Sequence, residues 1–80
     1  MSQSSEPRID LTLVAALDLY FERLGDEKPH AVYDMVIGAI EPTLLRYALN
    51  HCKGNISKTA DLLGLSRNTL RKKLQQHRIQ

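Results

Sequence analysis

The sequence has one cysteine, no tryptophan, three prolines and four glycines in 80 residues. A single thiol, Cys52, excludes an internal disulfide. With no leader pattern in MSQSSEPRID, the expected compartment is a reducing cytoplasm. No apolar run approaches the ~20 residues that cross a bilayer, so no membrane partner is expected. Aromatics are confined to Tyr20, Phe21, Tyr33 and Tyr47, which leaves Leu, Ile, Val and Ala to build a core. There is no strand-like alternation and no internal repeat, and the expected class is all-α. No Walker-type glycine loop and no converging nucleophile, base or metal set occurs, which argues against an enzyme and against a cofactor. His51-Cys52 has no second ligand pair at metal spacing, so a small thiol near a helix end is the better account. His30 and His77 read as solvated. A chain of this length suggests one domain, only marginally stable as a monomer.

The net charge of +2 conceals a division. Residues 1–52 carry four basic side chains against eight acidic ones, or −4, and residues 53–80 carry seven against one, or +6. The second group is Lys53, Lys58, Arg67, Arg71, Lys72, Lys73 and Arg78 against Asp61 alone. Such asymmetry points to a polyanionic partner for the C-terminal end; a solvated basic face is the plainer alternative.

Residues 1–8 are Ser-rich and polar and are expected to be a disordered tail. Leu13, Leu17, Tyr20, Phe21 and Leu24 then follow helical spacing, with Asp10 suited to cap the start and Gly25 to stop it. Residues 26–29 form a polar loop. A second helical face runs through Val32, Tyr33, Val36, Ile37, Ile40, Leu44, Leu45, Ala48 and Leu49 towards Lys53 and Gly54. Pro42 interrupts it, but the proline ring presses on Gly38, the least crowded neighbour available, and the apolar face keeps its phase. One kinked helix is expected, a break at Glu41 being the alternative.

Asn55 is placed to cap a short helix with Ala60 and Leu63 inward. Gly64-Leu65-Ser66 makes a tight turn, and Ser66 caps a last helix with Leu70 and Leu74 towards the core. Two short helices around a glycine turn form a helix-turn-helix. Its second helix has one apolar edge, Lys72 on the opposite face, and Thr69, Arg71 and Lys73 flanking, a width that fits the DNA major groove. Asn55, Ser57, Ser66 and Thr69 lie near helix N-termini, where phosphate is received. Arg67, just past its cap, is positioned to read a base edge, while Arg71 and Lys73 are expected to hold phosphates.

At these residues GNISKTADLLGLSRNTLRKKL resembles the C-terminal helix-turn-helix of the Fis family of bacterial nucleoid-associated proteins, and NTLRKKL is very specific to that group. The resemblance extends over about residues 9–80. It implies a four-helix fold forming an intertwined homodimer, with residues 9–54 as dimerisation helices and residues 55–80 as the unit that binds double-stranded DNA. It further implies a cytoplasmic, nucleoid-located protein that bends DNA and regulates transcription and chromosome organisation. The family's DNA-contacting positions carry over onto Asn55, Ser57, Arg67, Thr69, Arg71, Lys72 and Lys73. Ser66 stands where the best-known member has Asn, and Pro42 sits one residue earlier than its proline there, so a displaced kink is expected. That member's long N-terminal arm stimulates DNA inversion; only about eight polar residues precede the first helix here, so that activity is not expected. Lys53 and Gly54 occupy the turn where the family can touch RNA polymerase, but Lys53 matches only in charge, and a helix stop with a solvated lysine is the better account. A very similar helix-turn-helix ends the sigma-54-dependent activators of the NtrC type, behind a large ATPase. A chain that opens with Met and has no Walker loop is expected to stand alone instead.

Overall fold

A computed structural model describes residues 7–80. The described residues form four helices and no strand: α1 Ile9–Leu24, α2 Val32–His51, α3 Ile56–Leu63 and α4 Arg67–Gln76. The fold class is all-α, as its apolar spacing anticipated. Most of the expected tail, residues 1–6, lies outside the described residues. The chain divides into two compact units, one ending at Ala31 and one beginning at Val32.

The first unit contains α1. Its start differs from expectation. Arg8, not Asp10, is the N-cap residue, and its side chain makes no capping hydrogen bond. Asp10 lies inside the first turn, where the guanidinium of Arg8 donates to its two oxygens at 2.8 and 3.1 Å. That pairing raises the Arg8 pKa and holds the Asp10 carboxyl below its usual range. A carboxylate in a first turn also faces the positive end of the helix dipole, so the acid stabilises the start without acting as its cap. Gly25 ends the helix with φ +65° and ψ −126°, a positive φ but not the left-handed helical stop expected of it. Of the predicted stripe, Leu13, Leu17, Tyr20 and Leu24 are half-buried and Phe21 is exposed, and no residue of α1 is buried.

The second unit contains the helix-turn-helix and its seat. The helix α2 runs unbroken through Pro42, as the constant phase of its apolar face indicated. Leu45 from α2, Ala60 from α3, and Leu70 and Leu74 from α4 form the core, with Leu49, Ile56, Leu63 and Ile79 packed against it. Leu70 is wholly buried, a contribution of about 1.5–3 kcal/mol by transfer alone. Ala60 is small where α3 meets this core, and Thr59 beside it is also wholly buried. The Thr59 hydroxyl donates to the Asn55 carbonyl at 2.7 Å, so its burial leaves no unpaired donor.

Three helix ends in this unit share one stop. After α3, Gly64 at φ +75° donates to the Asp61 carbonyl and Leu65 donates to the Ala60 carbonyl at 2.9 Å. This paired pattern satisfies the last carbonyls of a helix and needs a left-handed residue. The same pattern follows α2 at Lys53, φ +55°, and follows α4 at Arg78, φ +57°. At these two ends a basic side chain occupies a position that favours glycine. Ile79, the residue after Arg78, thereby turns back onto the core.

Candidate nucleic-acid interface

The N-terminus of α3 is built by Asn55, whose Oδ1 accepts from the Lys58 N–H at 3.0 Å. That of α4 is built by Ser66, whose hydroxyl oxygen accepts from the Thr69 N–H at 3.1 Å and donates to the Thr69 hydroxyl at 2.9 Å. The first N–H groups of a helix otherwise lack partners, so these caps fix where each helix begins and how it faces. Both caps are the residues the sequence named.

The buried edge of α4 is Leu70 and Leu74. Because that edge is locked, the opposite side must face outward, and Arg67, Asn68, Arg71 and Lys72 are all exposed. Ser66, Arg67, Asn68 and Arg71 line one shallow groove at the start of the helix. Among the described residues, Arg67, Arg71 and Lys72 form no ion pair with a carboxylate. Their charge is thus available to an anion brought to this face. Asn55 and Ser57 are exposed at the start of α3, and they do not line the groove that joins Ser66, Arg67 and Arg71. Thr69 is half-buried, its hydroxyl engaged by Ser66.

Lys73 is placed differently from its neighbours. Its ammonium donates to Glu41 Oε2 at 2.8 Å, across to α2. His77 Nε2 lies 2.8 Å from the other oxygen, Glu41 Oε1. The side chain of His77 is 14 % exposed, so the expectation of a solvated histidine is overturned: one helical turn beyond Lys73, it shares that residue's carboxylate. The Glu41 carboxyl is held below its usual range, first by the hydrogen bond to His77 and then by that to Lys73. Sequence reasoning missed Glu41 as a member of the site. No local signal could have found it, because Glu41 lies on another helix, 32 and 36 positions from Lys73 and His77.

Comparison with known proteins decides the family. Residues 37–77 match the sequence profile described as bacterial regulatory protein, Fis family. The chain belongs to the Fis family. A relative from Ralstonia nicotianae is 53 % identical over 62 residues, covering 78 % of this chain and 80 % of the relative. One from Neisseria meningitidis serogroup A is 46 % identical over 71 residues, covering 89 % and 90 %. One from Pseudomonas aeruginosa is 48 % identical over 62 residues, covering 78 % and 60 %. The names of all three give them as candidate Fis-like DNA-binding proteins. The family profile takes in the last part of α2 together with α3 and α4, so it includes the seat of the helix-turn-helix as well as its two short helices.

Proposed function

We propose that this Fis-family chain is a dimeric DNA-binding and DNA-bending protein of the bacterial nucleoid that regulates transcription and chromosome organisation. The observation that carries DNA binding is α4 itself: Arg67, Arg71 and Lys72 stand exposed and, among the described residues, unpaired with carboxylates, on a helix whose other edge is locked by Leu70 and Leu74. A helix so oriented fits the major groove, with Arg67 towards base edges, Arg71 and Lys72 towards the groove wall, and Asn55, Ser57, Ser66 and Thr69 near phosphates. The names of the relatives support the same partner. The role is binding rather than catalysis, with no cofactor required.

Self-association is supported by apolar surface. In α1, Ile9, Leu11, Val14, Leu19 and Phe21 are exposed, and in α2 so are Tyr33, Ile37, Ile40, Leu44 and Tyr47. Exposed apolar faces of this extent mark interaction sites, and a second copy is the partner that the family resemblance implies. Residues 9–54 then supply the dimer surface and residues 55–80 the DNA surface. In such a dimer two recognition helices set closer than one turn of straight DNA require the duplex to bend, and flexible or A·T-rich centres favour binding. A groove lined by Arg46, Lys53 and Arg78 next to the Lys53–Gly54 turn suits an acidic surface, and a contact with RNA polymerase there belongs to the same reading.

The deciding experiment is titration of the full chain against specific and random duplexes. Arg67→Ala is expected to lose preference for the specific site, and an unchanged preference contradicts the assignment of base reading to Arg67.

A further inference from the structure

The cations of α4 are not equivalent. Arg67, Arg71 and Lys72 are exposed, whereas Lys73 is half-buried and held by Glu41. Glu41 is three-quarters covered and uses both its oxygens on α4, one for Lys73 and one for His77. This is the one side-chain hydrogen-bonded link between α2 and α4 among the described residues. Glu41 immediately precedes Pro42, whose own burial fixes that turn of α2. The carboxylate is therefore anchored at its base and bound at both tips. Since Lys73 and His77 lie one turn apart along α4, gripping both resists rotation of α4 about its axis as well as sliding along it.

We propose that Glu41 is a positioning residue for DNA recognition, acting through Lys73 and His77, and that it keeps the Lys73 charge out of the phosphate-contacting set. The proposal rests on the DNA-binding reading above. Physically, a carboxylate 2.8 Å from the ammonium competes with a phosphate oxygen for the same donors. An ammonium that stays on its carboxylate neutralises no phosphate, so it releases no counterion from the DNA. Glu41 thereby restricts sequence-independent grip to Arg71, Lys72 and the helix N-termini, and fixes the angle at which Arg67 enters the groove. Without it, Lys73 swings towards solvent and adds a contact that any sequence can satisfy.

The salt dependence of binding distinguishes this from a merely structural role, because it counts phosphate contacts at about 0.9 per contact in the log–log slope. The parent, Lys73→Met, Glu41→Gln and the double variant are titrated with a random duplex between 50 and 200 mM salt. Lys73→Met is expected to keep the parent slope. Glu41→Gln is expected to steepen it by about 0.9, so that the fourfold rise in salt costs this variant about 3.5-fold more affinity than the parent. The double variant is expected to return to the parent slope, which attributes the added contact to Lys73. A slope shallower by about one in Lys73→Met, or an unchanged slope in Glu41→Gln, overturns the proposal. Circular dichroism establishes that each variant is folded; should Glu41→Gln not fold, the Lys73→Met comparison still decides whether the parent uses Lys73 on phosphate. Failure of the parent to bind DNA at any salt is a separate result, and it overturns the DNA-binding reading on which this rests.

Discussion

The helix α1 and the helix-turn-helix solve the same problem in opposite ways. The sixteen residues of α1 bury none of their side chains, although Leu13, Leu17, Tyr20 and Leu24 form a regular stripe. The helices α3 and α4 are each shorter, with eight and ten residues, yet together they enclose Thr59, Ala60, Leu70 and Leu74 with the help of Leu45. A short helix is stable when its caps and its seat are both supplied. In α3 and α4 they are supplied within the chain, by Asn55, Gly64, Ser66 and the end of α2. In α1 the cap is absent and the seat is incomplete. The helix-turn-helix is thus self-sufficient in outline, and the N-terminal part leaves apolar side chains exposed.

The comparison can be broken most severely at its core. Leu70→Ala is expected to lose about 2–5 kcal/mol in a urea melt, because Leu70 is wholly enclosed. Exposed Leu11→Ala in α1 should cost well under that in a single chain; a large loss that grows on dilution would reveal a buried dimer position. Arg67→Ala should reduce discrimination between site and random duplexes by about 1–3 kcal/mol. Arg71→Ala should weaken binding to both alike and lower the salt slope by about one. At the helix stops the two kinds of residue should respond oppositely. Gly64→Ala, with open space around it but φ +75°, is expected to destabilise by about 1–2 kcal/mol. Lys53→Gly, at φ +55°, is expected to be neutral or stabilising by up to about 1 kcal/mol in thermal melts. The smallest effect is with pH. The Glu41 carboxyl is depressed from an ordinary 4.5, so its contribution is complete above that value and is lost as pH falls through the lowered one. Melting temperature should therefore fall below about pH 4.5, and fall less steeply in Glu41→Gln.

What was legible in the sequence was local. Asn55 and Ser66 as caps, Gly64 at the turn, and Leu70 and Leu74 inward each follow from a rule that spans a few residues, and each is observed. The continuity of α2 was legible because a proline four residues after a glycine leaves room for its ring. The illegible features needed either a partner across the fold or a choice between competing local partners. Glu41 meets Lys73 and His77 across 32 and 36 positions, a pairing no spacing rule reaches. Asp10 could cap α1 or bind Arg8, and the guanidinium two residues away prevails. Lys53 and Arg78 at positive φ were hidden because a left-handed stop is expected of glycine, whereas Gly54 follows one position later and Ile79 packs onto the core to hold the other.

The functional division rests on one pairing of claims: the N-terminal apolar surface joins two chains, and the basic face of α4 meets DNA. Sedimentation equilibrium of the full chain, free at micromolar concentration and mixed with a labelled duplex bearing one site, tests both together. The expected result is the mass of two chains in the free protein and two chains on each duplex. A free species of one chain, a complex holding one chain, or no complex contradicts it.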